Sequence, residues 1–505
     1  MRAKLLIRAD ATIAMGTGHV MRCLALAQAW QDGGGEAAFA VAEVTPAVRA
    51  RLLSESCEIV SVAGAPGGGD DSARTIAIAR EQDASWLVLD GYQFEADYLT
   101  QLKGAGVQVL FIDDYGHAGR YSSDFVLNQN VNAKAELYAD RAPHTRLLLG
   151  PRYALLRREF GVWRDWKRAV SPVCRRVLVM LGGSDPENLT ARVIDAIQLA
   201  QIDGLEAAIV VGGSNPHIAQ LQKAADQCGL KIALHKDVTR PADLMAAADV
   251  AVSAAGSTCW ELCLLGLPSL VIDVADNQTT VAQELHRRGC AIHVGNRTAS
   301  ASRIAEGLRS LVEASELRES LALRSRELVD GRGAMRVVAE MSGRHELWLR
   351  PVQAGDRKRL WEWVNDPEVR AASFSPEPIS WESHVAWFAK RLDCSPGNLP
   401  PSFIFVAEDD AGSAVGQVRF DAGPEGRWHI DVSVDQAMRG RGFAAKIMAS
   451  GIRELKKRLP NAQVHAYVKP ANVASIKAVE ACGFRRVGTQ EIRGHEAIHF
   501  IYREN

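Results

Sequence analysis

Three stretches of this 505-residue sequence hold residues whose types and spacing suit nucleotide chemistry. In the first, IRADATIAMGTGHVMRCLALAQAW (7–30), Gly16 and Gly18 permit a tight turn and bring backbone N–H groups close to a ligand. His19 then falls in the first turn of a helix, where the dipole favours anions. As neutral imidazole it can take a proton from water at physiological pH. The same letters also read as a packing or capping histidine, because Met21 breaks a full G-x-G-x-x-G. In the second stretch, VSAAGSTCWELCLLGLPSLVIDVADNQ (252–278), Gly256, Ser257 and Thr258 open a helix. Small residues and hydroxyls at a helix start suit a diphosphate. Glu261, one turn further on, can accept two hydrogen bonds from ribose hydroxyls, and Asn277 and Gln278 follow the next strand. The competing reading is a Ser/Thr N-cap with a glutamate in a favourable dipole position. In the third, WHIDVSVDQAMRGRGFAAKIMASGIREL (428–455), a strand runs into Arg439, Gly440, Arg441, Gly442 and Ala444 and then a helix. Glycines there let successive N–H groups wrap a pyrophosphate.

Metal and thiol chemistry find no such support. The nine dispersed cysteines form no C-x-x-C, and no metal is expected. Cys259 and Cys263 read as a packing face. An odd set of scattered cysteines fits a reducing cytoplasm.

The elements that must position these residues alternate through the first ~340 residues. Strand expectations are 4–10, 37–41, 85–91, 107–114 and 124–130, and then, as the pattern restarts, 175–185, 205–215, 231–238, 249–256 and 268–274. Helical segments lie between them, which marks parallel sheets wrapped by helices. Two such α/β units imply two Rossmann-like domains facing a cleft, with ligands at the carboxyl ends of the strands. After about residue 340 strands follow one another closely, and the texture becomes α+β: an antiparallel meander and then a helix from about 442 to 458.

Composition agrees. Lys plus Arg is 59 and Asp plus Glu is 60, a net charge of −1, and 47% of residues are hydrophobic. That argues against disorder and against a broad basic surface for nucleic acid. No run approaches the ~18 apolar residues of a spanning helix, and MRAKLLIRADAT reads as a first strand, not a signal peptide. The expectation is a cytoplasmic protein without membrane insertion, and no sequence feature specifies an oligomeric state.

The motifs RADATIAMGTGHVMRCLALA, LDGY, FIDDY, DFVLNQN, LLGPRYALLRREF, MLGGSDPENLT and AAGSTCWELCLLGLP occur in order. Together they make the first ~340 residues resemble the UDP-2,4-diacetamido-2,4,6-trideoxy-β-L-altropyranose hydrolases of pseudaminic acid biosynthesis. That family is similar to a GT-B glycosyltransferase, so the resemblance implies a GT-B-like pair of Rossmann domains, 1–150 with the Gly loop and 151–342 with the UDP site. It further implies that His19 activates or orients water for attack on the anomeric carbon, with UDP leaving by C–O cleavage and inversion. Arg157 and Glu261 become substrate contacts, and Tyr92 and Asp10 line the sugar side. The implied UDP-sugar site thus comprises Asp10, Gly16, Gly18, Tyr92, Arg157, Gly256, Ser257, Thr258, Glu261 and Gln278.

Residues 347–505 resemble the GNAT N-acetyltransferases through LRPVQAGDRKRLWEWVNDPEVR, the R-x-x-G-x-A pattern and YVKPANVASIKAVEACGFRRVG. The resemblance implies an acetyl-CoA site at Val432, Val434, Arg439, Gly440, Arg441, Gly442, Ala444, Asn472 and Ser475. One departure stands out: Val479 occupies the position where many GNAT enzymes carry a tyrosine near the thiolate. Asp431 and His429 are the candidates for the base. The two resemblances suit consecutive steps on one UDP-amino sugar, acetylation and then hydrolysis. The alternatives are a UDP-sugar glycosyltransferase with an appended acetyltransferase, or one region acting as a non-catalytic nucleotide-binding module.

Overall fold

Strands buried on both faces need near-continuous apolar runs, and the central strands of the first two sheets are built from them. The computed structural model describes residues 3–12, 16–183, 185–213, 215–236, 238–343, 347–392, 401–409 and 413–503. The chain divides into two compact units, Met1–Ser342 and Gly343–Asn505.

The first unit has two parallel sheets. One contains β1 (Lys4–Ala9), β2 (Glu36–Val41), β3 (Glu58–Ser61), β4 (Ala84–Asp90), β5 (Val109–Ile112), β6 (Phe125–Asn128) and β7 (Arg146–Leu149) in the order β3-β2-β1-β4-β5-β6-β7. The other contains β8 (Arg176–Met180), β9 (Glu206–Val211), β10 (Lys231–Lys236), β11 (Val250–Ala254), β12 (Ser269–Asp273) and β13 (Ile292–Asn296) in the order β10-β9-β8-β11-β12-β13. In each sheet the order reverses beside the first strand in sequence, β1 or β8. Such a switch point leaves a crevice at the carboxyl ends of the strands. Expected strands form in both sheets, but β3, β7 and β13 are additional. β3 is a half-exposed edge strand and β7 only four residues, so neither has the long apolar run that marks a central strand.

The helix Gly18–Asp32 leaves the end of β1 and is buried along most of its length, from His19 to Trp30. It stops at Gly33 and Gly34, the latter at φ +89°, a left-handed conformation that favours glycine. The helix Gly333–Ser342 follows the second sheet in sequence, yet Ala334, Val337 and Met341 join the core of the first sheet. The contact is close: a Cβ on Gly333 would lie 2.2 Å from the Ala154 carbonyl oxygen.

The second unit is a mixed sheet of GNAT-like topology. Its strands are β14 (Trp348–Pro351), β15 (Ser402–Glu408), β16 (Ala414–Ala422), β17 (Arg427–Val434), β18 (Gln463–Val468), β19 (Phe484–Ile492) and β20 (His495–Tyr502), ordered β14-β15-β16-β17-β18-β20-β19. β15 to β17 form the expected antiparallel meander, β14 joins its edge antiparallel to β15, and β17 pairs β18 in parallel. The helix Phe443–Arg458 crosses over between β17 and β18, burying Ile447, Met448, Ile452 and Leu455 against Val418, Phe420 and Trp428. Among the described residues, no helix is long and apolar enough to cross a membrane.

Candidate functional site

A cleft of about 880 Å³ lies between the two sheets of the first unit, a volume in the range of small-molecule sites. Gly16, Gly18, His19 and Tyr92 line it from the first sheet's side, and Gly256, Ser257, Thr258, Glu261, Asn277 and Gln278 from the second. Arg157, in the connection between the sheets, completes the wall. Gly16 adopts φ +77°, which favours glycine, and a Cβ on Gly18 would reach within 4.0 Å of the Ser257 hydroxyl. The glycine loop and the Ser257 segment therefore face each other directly.

His19 is the chemical centre of the first wall. Its Nδ1 lies 2.6 Å from Asp90 Oδ1, and Asp90 is fully buried at the end of β4. A carboxylate only accepts, so Nδ1 carries the proton and Nε2 is left as the ring's acceptor. Arg22, one turn along the same helix, donates Nε and Nη2 to the two Asp90 oxygens, each at 2.7 Å, and Nη1 to Asp114 at 2.8 Å. Burial opposes ionisation of Asp90, but Arg22 first and His19 next outweigh it and hold the carboxyl well below the usual carboxylate range. Asp114 is lowered against its own burial for the same chief reason, the Arg22 charge. Both carboxylates are thus fixed as anions, and Asp90 holds one tautomer and orientation of His19.

The network continues to the opposite wall. The Tyr92 hydroxyl donates to Asp114 Oδ2 at 2.8 Å and accepts from Asn277 Nδ2 at 2.7 Å. Burial and the Asp114 charge push the phenol well above its ordinary value, so Tyr92 remains a donor. Its ring meets His19 edge-to-face at 4.9 Å. One hydrogen-bonded chain therefore runs from Asn277 through Tyr92, Asp114, Arg22 and Asp90 to His19.

On the second wall, Ser257 precedes the helix Thr258–Leu264 without making a side-chain cap bond, so its hydroxyl is not spent as an N-cap. Gln278 accepts from the Val274 N–H at 3.1 Å, and its amide nitrogen lies 3.5 Å from where a Gly256 Cβ would stand. Arg157 Nη2 donates to Glu261 Oε1 at 2.9 Å, and its Nε is 2.9 Å from Glu159. Burial raises the Glu261 carboxyl's pKa, with Arg157 opposing. Arg157 and Glu261 thus enter the cleft as a pair.

Asp10 is placed elsewhere. It is 1% exposed and does not line the cleft; it accepts from Arg8 at 2.8 Å and from the Ala42 N–H at 2.7 Å. Its carboxylate anchors the turn after β2. Conversely, sequence reasoning did not single out Arg22, Asp90 or Asp114. The signal was present: Asp90 ends LD and Asp114 lies in FIDD, both at carboxyl ends of strands where ligand groups gather. Among the described residues, no group of three or more His, Cys, Asp or Glu side chains is placed to hold a metal ion.

In the second unit, β17 and β18 pair only from Arg427↔Gln463 to His429↔His465, although β17 runs on to Val434 and β18 to Val468. Beyond His429 the two strands splay, leaving the β18-facing edge of β17, with Val432 and Val434, outside the ladder while β16 covers its other edge. Unpaired strand groups of this kind suit an extended ligand carrying amides. At the end of β17 an exposed loop holds Gly440 at φ +75° and Gly442 at φ +74°, and Gly442 caps the helix Phe443–Arg458 that includes Ala444. The Arg439 side chain is engaged, bonding Glu368 at 2.8 Å and Asp366 at 3.0 Å, which fastens the loop, whereas Arg441 is exposed. Asn472 caps the helix Val473–Ala481 by accepting from the Ser475 N–H at 3.1 Å, so it supports the helix end through its side chain. Val479 is 4% exposed and packs in the core.

These two sites and folds define an enzyme that joins a nucleotide-sugar hydrolase- or glycosyltransferase-like unit to an acetyltransferase domain. Residues 177–330 match the glycosyltransferase family 28 C-terminal domain, and residues 346–485 match the acetyltransferase (GNAT) domain. Among particular proteins, the chain is 21% identical over 505 residues to the uncharacterized protein MJ1062 of Methanocaldococcus jannaschii, covering 99% of both chains. It is 28% identical over 240 residues to the spore coat polysaccharide biosynthesis protein SpsG of Bacillus subtilis, covering 47% of this chain and 70% of that one. It is 26% identical over 288 residues to the UDP-2,4-diacetamido-2,4,6-trideoxy-beta-L-altropyranose hydrolase of Campylobacter jejuni, covering 57% of this chain and 97% of that one.

Proposed function

We propose that the chain is a bifunctional nucleotide-sugar enzyme of pseudaminic acid (nonulosonic acid) biosynthesis. Residues 347–505 transfer acetyl from acetyl-CoA to a UDP-4-amino-4,6-dideoxy sugar. Residues 1–342 hydrolyse the UDP-2,4-diacetamido-2,4,6-trideoxy-β-L-altropyranose product to free sugar and UDP. The observation that carries the hydrolase reading is the buried Asp90 bonded to His19 Nδ1 in the wall of the cleft. With Nδ1–H committed, Nε2 accepts a proton from water as that water attacks the anomeric carbon. The anomeric C–O bond breaks and UDP departs with the electron pair. UDP is a good leaving group, so positioning and stabilisation of the diphosphate are the protein's main tasks. Gly256, Ser257 and Thr258 lie opposite His19 for that purpose, and the Arg157–Glu261 pair offers Glu261 to the ribose. The resemblance to the named hydrolase of Campylobacter jejuni supports this choice of sugar.

In the acetyltransferase, the splayed edge of β17 at Val432 and Val434 takes the pantetheine amides, and the loop from Arg439 to Ala444 takes the pyrophosphate through backbone N–H groups. Ser475 lies near the thioester. Both co-substrates are cytoplasmic metabolites, and the proposal places the enzyme there.

The test supplies the purified full chain with the UDP-4-amino sugar and acetyl-CoA and follows CoA and UDP. Release of both, with an acetylated UDP-sugar appearing in between, is expected; release of neither refutes the proposal. The match of residues 177–330 to a glycosyltransferase domain favours glycosyl transfer as the second reading. It requires UDP release to depend on an added sugar acceptor, whereas hydrolysis does not.

A further inference from the structure

The acetyltransferase unit carries three histidines on one polar face beside the splayed strands: His429 on β17, His465 on β18 and His499 on β20. They are not equivalent. His465 Nδ1 and His499 Nε2 lie 2.8 Å apart with rings stacked at 5.1 Å, so these two spend a nitrogen on each other. His465 is also buried, at 3% exposure. His429 has no hydrogen-bond partner among the described residues, is half-exposed, and meets Tyr467 edge-to-face at 5.3 Å. It stands in the last paired position of β17, at the apex where the two strands part. On the acetyltransferase reading, a thioester laid along the open edge of β17 with its acyl end at that apex would meet the attacking amine beside His429.

The rival carboxylate is already committed. Asp431 lies 3.3 Å from the Arg419 guanidinium and accepts from Gln417 at 3.3 Å. Both of its oxygens are thus engaged by side chains of β16. Resting on the acetyltransferase reading above, we propose that His429, and not Asp431, is the catalytic base that takes the proton from the acceptor amine. The neutral amine nitrogen forms the C–N bond at the thioester carbonyl. The C–S bond breaks, and the sulfur leaves with its electron pair. The proton on nitrogen passes to the His429 imidazole, which returns it to solvent, and the thiolate takes a proton from water to leave as CoA.

The electrostatics around His429 agree with a neutral resting imidazole. Burial lowers its pKa, the Asp421 charge opposes this, and the Arg427 charge adds a smaller lowering. The other groups facing it, His465 and His499, are lowered too, His465 to about 4, so they add no positive charge at neutral pH.

The test compares wild type, His429→Gln and Asp431→Asn as full chains, with acetyl-CoA and the UDP-4-amino sugar, measuring CoA release by chromatography between pH 5 and 9. For His429→Gln, kcat is expected to fall roughly 10²-fold at pH 7, with KM for acetyl-CoA unchanged. The acidic limb of the wild-type profile disappears with it, which a merely structural role would not cause. A His429→Gln enzyme within threefold of wild type, with the acidic limb intact, overturns the assignment. So does loss of that limb in Asp431→Asn alone. If wild type ignores the UDP-amino sugar, that failure overturns the acceptor reading. The same comparison is then made with spermidine and kanamycin, and an amine acetylated by wild type but not by His429→Gln still supports the base. A wild type that acetylates no amine overturns both.

Discussion

Replacing Asp90 by asparagine removes a charge while keeping the shape of the side chain, and the structure sets the size of the effect. Asp90 holds His19 Nδ1 at 2.6 Å and the Arg22 guanidinium through two bonds of 2.7 Å, with no exposure to solvent. When His19 takes a proton from water it becomes an imidazolium about 4 Å from the Asp90 charge. At an effective dielectric of ~20 that attraction is about 4 kcal/mol. At about 1.4 kcal/mol per tenfold, the loss corresponds to a fall of roughly 10³ in kcat. The introduced amide can also donate to Nδ1, which would select the tautomer that cannot accept at Nε2. Both effects act on kcat. The assay follows UDP release from the diacetamido sugar nucleotide, with CoA release from the acetyltransferase unit as an internal control and thermal unfolding as a check on folding. A folded Asp90→Asn enzyme hydrolysing within tenfold of wild type would refute the role given to the Asp90–His19 pair.

The same structure sets three more outcomes. His19→Ala abolishes UDP release and leaves acetyl transfer intact; equal loss of both activities in a two-product assay would argue against separable sites. Gly442→Ala places a side chain at φ +74°, a strain of about 1–2 kcal/mol, so KM for acetyl-CoA is expected to rise about tenfold with UDP release unchanged, and an unaltered KM contradicts the loop's role. The folded pKa values of Asp90 and Asp114 are depressed, so their contribution to stability is present above the ordinary carboxylate value near 4 and lost as pH falls toward their lower folded values. Urea unfolding should show that contribution unchanged from pH 7 to 5 and falling by pH 3, with a smaller acid loss in Asp90→Asn than in wild type; equal acid losses would contradict it.

Much of this was legible in the chain. Apolar runs such as LLIRA and WLVLD announce strands buried on both faces, and the glycines before His19 announce the turn that delivers it to the cleft. What was not legible depends on tertiary distance. Asp90 is 71 residues from His19, and only the adjacency of β1 and β4 brings them together. Asp10 shows the converse. It follows the same β1 that leads to His19, yet the turn after β2 takes one of its oxygens and Arg8 the other. In the acetyltransferase, the glycine loop was readable because left-handed turns need glycine. The choice between His429 and Asp431 was not, since it rests on Arg419 lying across the strand pair from Asp431.

The central claim is that one chain acetylates a UDP-amino sugar and then cleaves the product at its anomeric C–O bond with water. The most direct measurement is an NMR and mass-spectrometric time course of the full enzyme with the UDP-4-amino sugar and acetyl-CoA in ¹⁸O-water. The account predicts acetylated UDP-sugar first, then free diacetamido sugar carrying ¹⁸O at the anomeric hydroxyl, with inverted configuration and unlabelled UDP. Label in the UDP phosphate, or release of UDP only when a second sugar is supplied, would contradict it.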